Sequence, residues 1–486
     1  MLSRAEPIIV QGGMGVAVSA WPLARAVSLT GQLGVVAGTA LDVILARRLR
    51  LGDPDGHVRR AMAAFPLPDM ADRILERYFI PGGKAADRPF IACPMHAIEP
   101  SQDLLELTVV SNFVEVYLAK EEHDGLVGIN YLEKIQLPTL PSLFGALLGG
   151  VDYVLMGAGI PRAIPGILDS LCRGEPVELP LDVLGANRDD RIVTRFDPVA
   201  FTAGEIPRLV RPKFLAIVAS ESLARMLARK ASGHVDGFVV EGPTAGGHIA
   251  PPRGPMRLND RGEPVYGGRD EPNLEAIRSL GRPFWLAGSY GVPESVAAAL
   301  DAGAAGVQVG SAFAYCEESG MSADLRRRVL AMSRQGTVDV LTDPMASPTG
   351  FPLKVVTLPG TLSQESVYEQ RKRICDLGFL RHLYKKHDGT IGLRCPSEPV
   401  KEYIRKGGRE EDTRGRKCVC NGLAGNVGLG QVRRGGEQEK PLVTSGDDAR
   451  NIARFLPTPD AESYSAENVV KYLLSRVSRL SPSPIA

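Results

Sequence analysis

Along the first two-thirds of the chain, short apolar runs alternate with helical stretches. Eight runs stand out, at residues 7–10, 33–37, 126–130, 151–156, 214–218, 237–241, 283–287 and 305–309. Each is continuously apolar rather than alternating, as expected of strands buried on both faces of a parallel sheet. Helical stretches fall between them, among them residues 220–231 and 294–302. Eight buried strands separated by helices predict an α/β fold, a (β/α)8 TIM barrel. Counting alone leaves an open doubly wound sheet as the alternative.

One further run, residues 89–93, lies between the second and third strands, and residues 53–125 read as a long insertion. Residues 183–211 read as a shorter one, with a polar and charged middle. The pattern changes after about Leu341, where Pro344, Pro348, Pro352 and Pro359 interrupt the chain. The expected organisation is a barrel over residues 1–345 and a C-terminal extension over residues 346–486 that packs on it. Within the extension, residues 460–480 are amphipathic, with Val469, Val470, Leu473, Leu474 and Val477 near helical spacing.

Composition narrows the function classes. The 486 residues carry a formal net charge of +1, which gives no electrostatic case for nucleic acid or a membrane as partner. Apolar residues make up 44%, enough for a large core and too many for wholesale disorder. The N-terminal residues lack a basic region followed by an apolar stretch, so the expected location is the cytoplasm. Glycine is in excess, 53 of 486 or about 11% against a usual ~7%.

The excess glycine collects at the C-terminal ends of the proposed strands. Gly12, Gly13 and Gly15 follow the first, Gly157 and Gly159 the fourth, and Gly242, Gly246 and Gly247 the sixth. Gly288 and Gly291 follow the seventh, and Gly310 the eighth. In a (β/α)8 barrel these ends form the active-site face, and the loops after strands seven and eight commonly hold phosphate. Without a Cβ, backbone N–H groups can approach an anion, and a following helix N-terminus adds a favourable field.

Seven cysteines, an odd number in a chain of this length, argue against a disulfide framework. Cys93 and Cys316 read as small buried hydrophobes. The other notable group is Cys375, Cys395, Cys418 and Cys420, all in the extension. Four thiolates can hold zinc or an iron–sulfur cluster, with His382 and His387 as substitute ligands. The usual paired C-x2-C knuckle is absent, and ordinary reduced cysteines are the competing reading.

The strand-end motifs together resemble a family. They are Gln11-Gly12-Gly13-Met14-Gly15, Gly128-Ile129-Asn130, Met156-Gly157-Ala158-Gly159, Glu241-Gly242-Pro243-Thr244-Ala245-Gly246-Gly247-His248, Ala287-Gly288-Ser289-Tyr290-Gly291 and Val309-Gly310-Ser311. Their order over about residues 7–320 resembles the nitronate monooxygenase (2-nitropropane dioxygenase) family. That family includes the flavin-dependent enoyl reductases of fatty acid and polyketide synthesis. The resemblance implies an FMN-binding barrel. It places Gly12, Gly13 and Met14 against the isoalloxazine, Asn130 on the flavin or ribityl chain, and Gly246 and Gly247 close to the cofactor. It gives the phosphate to Gly288, Ser289, Gly310 and Ser311. Lys213 and Ser220 are weaker matches, and Lys213, at a strand's start, reads as a bottom-face residue.

The sequence also departs from the family pattern. Thr244 stands where an acidic residue is common, Ser289 replaces a glycine, and Gly310-Ser311-Ala312-Phe313 lacks the usual arginine. Residues 248–254 look closer to the synthase-associated enoyl reductases. His248, at the end of the sixth strand, is the candidate catalytic residue, because an imidazole exchanges protons near neutral pH. Glu241 could orient His248 or the flavin. His57, His96, His123, His234, His382 and His387 read as surface or packing residues.

The expected reaction is oxidation of nitronates or nitroalkanes with O2. The alternative is NAD(P)H-dependent reduction of enoyl thioesters, with an acyl carrier protein as partner. In either case flavin carries the electrons.

Overall fold

The computed structural model describes residues 6–477 apart from 188, 205–206 and 434. All eight predicted strands are present: β1 (Ile9–Gln11), β2 (Gly34–Ala37), β3 (Val127–Leu132), β4 (Tyr153–Gly157), β5 (Lys213–Val218), β6 (Gly237–Glu241), β7 (Phe284–Ala287) and β8 (Gly306–Val309). They form one parallel sheet, with each strand beside its sequence neighbour and β8 beside β1. Between β1 and β2 the ladder is short. There Leu33 donates to Ile9 O at 3.1 Å and Gln11 donates to Leu33 O at 2.9 Å. The buried Gln11 side chain extends the seam by accepting the Val35 N–H at 2.9 Å. The sheet is therefore closed, and the (β/α)8 barrel prevails over the open sheet.

The barrel interior is filled by Val10, Val35, Leu155, Leu215, Val239 and Trp285, which point inward from different strands. Trp285 is fully buried, and its indole N–H donates to Pro7 O at 2.7 Å. A polar atom at the barrel's lower end is thus paired rather than stranded.

Residues 53–125 fold into the helices His57–Ala63, Pro68–Tyr78 and Gln102–Lys120. The last of these is buried along nearly its whole length and packs on neighbouring barrel helices and β3. It serves as the crossover helix from β2 to β3, and its nearly uniform burial explains its weak amphipathic pattern. Residues 89–93 are extended without ladder partners, although Phe90 is buried.

The 345/346 boundary falls inside a small sheet. There β9 (Val340–Asp343) pairs with β10 (Leu353–Val356), and β10 pairs with the two-residue strand Gly247–His248 from the barrel. Farther on, the hairpin β11 (His382–Lys385) and β12 (Ile391–Arg394) pairs with Val183–Leu184 of the second insertion. Helix α1 (Val419–Asn426) follows the Cys418 cap, and α2 (Ala466–Leu474) packs its Val469, Val470 and Leu473 into the main core. No helix among the described residues is long and apolar enough to cross a membrane.

Trp285→Ala removes the largest side chain of the barrel interior and strands the Pro7 carbonyl. It is expected to lower unfolding free energy by about 3–5 kcal/mol. Urea unfolding of the variant measures this, and a loss below ~1 kcal/mol would contradict the packing described.

Candidate functional site

At the C-terminal ends of the strands lies a cavity of about 220 Å³. Its floor is the barrel and its roof is the extension. His248, Gly12, Gly13, Met14, Asn130, Glu241, Gly246, Gly247, Gly288, Ser289, Gly310 and Ser311 all line it. The chain thus brings together twelve residues spread over three hundred positions.

Ser19 shapes the first loop. Its hydroxyl donates to Gly12 O at 3.0 Å and accepts the Met14 N–H at 2.9 Å. A Cβ on Gly13 would lie 2.3 Å from Asn130 Cβ, and one on Gly246 would lie 2.6 Å from the Gly446 nitrogen. A side chain at either position would therefore clash with neighbouring chain. Gly288 (φ 108°) and Ser289 (φ 58°) both take left-handed backbone at the turn after β7. Ser311 opens a short helix, and its hydroxyl accepts the Gly446 N–H at 2.9 Å.

His248 is held from the extension. Its Nε2 and Ser347 Oγ are 2.6 Å apart. Burial pushes its pKa down to about 4, so the ring is neutral at pH 7. Glu241 makes no hydrogen bond or ion pair with His248, so Ser347 takes the orienting role that Glu241 was expected to share. Burial pushes the Glu241 carboxyl up to about 8, leaving it mostly protonated at neutral pH. Asp448, a third ionisable wall residue, is likewise raised by burial.

No lysine or arginine lines the cavity among the described residues. Two wall residues instead carry buried acceptors without partners, Asn130 Oδ1 and Gln308 Oε1. Sequence reasoning missed Ser19, Gln308, Ser347 and Asp448. Ser347 and Asp448 come from the extension, whose docking has no local signal in the sequence. Ser220, a weak match, is a helix N-cap, with its hydroxyl accepting the Leu223 N–H at 3.1 Å. Lys213 pairs with Glu6 at the opposite end of the barrel.

The four extension cysteines are brought together. Cys375, Cys395, Cys418 and Cys420 line one small void, which His382 and His387 do not reach. All four are free cysteines. As they stand, no three His, Cys, Asp or Glu side chains among the described residues are gathered as ligands of a metal ion. His96, expected at the surface or in packing, is buried with its Nε2 3.0 Å from Asp42 Oδ2.

Residues 192–345 match the nitronate monooxygenase family model. The match supports the family resemblance for the motifs after β6, β7 and β8, and the oxidoreductase class it implies. No curated protein matches the chain in sequence. Similar solved structures include FabK from Thermotoga maritima, 16% identical over 98% of this chain and 95% of that one, with a TM-score of 0.47. Nitroalkane oxidase from Streptomyces ansochromogenes is 16% identical over 98% of each chain, with a TM-score of 0.44. The enoyl reductase domain of MlnA from Bacillus amyloliquefaciens is 11% identical over 98% of this chain and 97% of that one, with a TM-score of 0.47.

The raised Glu241 carboxyl has a consequence for the ligand-free chain. The folded state holds its proton more tightly than the unfolded state. The resulting stability is fully present below about pH 4.5 and is lost as pH rises through about 8. His248 acts in the opposite sense, its share being present above about 6.5 and lost as pH falls through about 4. Glu241→Gln is therefore expected to flatten the decline of the urea midpoint between about pH 5 and 8. An unchanged slope would show that Glu241 is not held in its protonated form.

Proposed function

We propose that the chain is an FMN-dependent oxidoreductase that reduces the carbon–carbon double bond of an enoyl thioester at the expense of NAD(P)H. The observation that carries this reading is the cavity's apolar wall. Val43 and Ile44, Ile135, and Leu377, Phe379 and Leu380 of the extension line it. Such a wall suits the hydrocarbon chain of an acyl group. It supports a substrate presented as a thioester, with an acyl carrier protein as its bearer.

The residues present fit the cofactor. The unpaired acceptors on Asn130 and Gln308 suit the N–H and hydroxyl donors of a flavin and its ribityl chain. Gly12, Gly13 and Met14 would lie along the ring, with Gly246 and Gly247 beside it. With no cation in the wall, the phosphate would be held by N–H and hydroxyl donors of Gly288, Ser289, Gly310 and Ser311. Bound FMN would supply hydride transfer between the nicotinamide and the enoyl carbon.

The protein's own groups then have distinct tasks. His248 shares one ring nitrogen with Ser347, so Nδ1 is free to hydrogen-bond the thioester carbonyl. A neutral ring suits this role, because it polarises the carbonyl without adding a buried charge. Glu241 holds a proton on its carboxyl at neutral pH and can release it to the reduced product. The roof covers part of the site.

A second reading, oxidation of nitronates with O2, is favoured by the match of residues 192–345 to the nitronate monooxygenase family model. In that reaction His248 would bind the nitro group or deprotonate a neutral nitroalkane.

Anaerobic mixing separates the two. NAD(P)H is expected to bleach the flavin, and a crotonyl thioester to restore its colour. Bleaching by a nitronate alone would overturn enoyl reduction in favour of the second reading. Protein that is colourless and binds no added FMN would overturn both. His248→Ala is expected to keep FMN bound and lower kcat about 10²-fold or more. Unchanged turnover would remove His248 from the mechanism.

A further inference from the structure

The four cysteines of the extension have no task in the chemistry above, yet the fold collects them. They come from three separate places: the loop before β11, the loop after β12, and the start of α1. They surround one small void. Cys395 and Cys418 are buried, and Cys375 and Cys420 are half-buried. Each thiol lies within electrostatic reach of at least two of the others.

Hydrogen-bond donors point at three of the four sulfurs. The backbone N–H of Ser397 serves Cys395, and that of Leu380 serves Cys420. The Asn421 side-chain amide donates to Cys418 Sγ at 3.4 Å. A neutral thiol is a weak acceptor, so three buried donors on thiols gain little. The same donors on thiolates form charge-assisted bonds, the usual outer shell of a thiolate-bound metal.

Charged side chains of both signs stand around the cluster. Arg381 lies within reach of Cys375, Cys395 and Cys420, and Arg371 of Cys418. Glu398 and Asp376 oppose them in part, with Asp376 paired to Arg433 at 2.6 Å. In the ligand-free chain Cys418 Sγ also donates to Ile374 O at 3.8 Å.

We propose that Cys375, Cys395, Cys418 and Cys420 together ligate a thiophilic metal centre, a zinc ion or an iron–sulfur cluster, which ties three segments of the roof to one another. The free thiols stand around the void rather than in ligand positions. In a zinc centre the four sulfurs would stand ~2.3 Å from the ion. With four protein thiolates the coordination is closed, so the centre takes no substrate. Its effect on the main site is mechanical. Leu377, Leu380, Val419 and Cys420 border both the void and the cavity, so a centre that fixes them fixes the roof.

The test uses the full chain purified without chelator, from zinc-supplemented cells in one preparation and anaerobically from iron-supplemented cells in another. The proposal expects about one zinc per chain, or iron with acid-labile sulfide and a visible cluster absorption; metal analysis tells the two apart. The double variant Cys375→Ser/Cys395→Ser, which leaves the main cavity wall intact, is expected to lower bound metal at least about ten-fold.

Should that variant fail to fold, wild-type protein stripped with a mercurial and then re-reduced is titrated with Co2+. A thiolate-to-cobalt charge-transfer band saturating at about one ion per chain is expected. Less than about a tenth of a metal ion per chain in both preparations, with no cobalt band, would overturn the proposal. Flavin content measured in the same samples keeps this outcome separate from the oxidoreductase reading. Protein that holds flavin but no metal fails here alone.

Discussion

The cavity exists because two stretches of backbone meet where neither has a side chain. Gly246, in the loop after β6, and Gly446, in the extension, approach so closely that a Cβ on either would lie within about 3 Å of the other's nitrogen. Around this contact the extension is tied down polar group by polar group. Gly446 donates to Ser311, and Asp447 donates its N–H to Thr244 O at 3.1 Å. The Asp447 carboxylate takes the buried Lys354 ammonium at 2.9 Å, and Lys354 also donates to Thr342 at 3.0 Å. A lysine this deep is stable only when paired, and loss of one partner of a buried pair typically costs about 3–5 kcal/mol. The β10 strand that carries Lys354 also pairs with Gly247–His248. The loop bearing the candidate catalytic histidine is therefore held as much by the extension as by the barrel.

The division into barrel and appendage follows the chemistry poorly for that reason. The barrel supplies a face of glycine turns and strand ends. The extension supplies Ser347 to fix the imidazole, Asp448 in the wall, and the apolar residues of the roof. Without the roof, Glu241 and His248 would face water, and their shifted pKa values, which arise from burial alone, would vanish.

Most of the barrel was legible in the sequence because strands buried on both faces leave continuous apolar runs, the least ambiguous pattern a parallel sheet makes. The strand-end glycines were legible too, and at Gly13 and Gly246 a Cβ would clash with Asn130 and Gly446. The long crossover helix Gln102–Lys120 was absorbed into a supposed insertion, since uniform burial erases the helical stripe. Ser347 was invisible for a different reason. Its role depends on a hydrogen bond across ninety-nine residues, and an isolated serine in a proline-rich stretch reads as a turn. The cysteines were visible as a cluster in sequence, but their convergence on one void depends on how the hairpin and α1 dock.

The electrostatic character of the cavity follows from the same closure. At neutral pH Glu241 is mostly protonated and His248 is neutral, while Asp448, raised by burial, lies 3.8 Å from the Arg454 guanidinium. An anion there must be met by backbone N–H groups and hydroxyls, which the left-handed turn at Gly288 and Ser289 and the helix start at Ser311 provide. A nearly neutral, apolar chamber weakly solvates free ions and strengthens each hydrogen bond within it. The proposed transfer of hydride to an uncharged acyl group would suit such an environment. An anionic nitronate would enter the same chamber at a desolvation cost, which the wall offsets only through neutral donors.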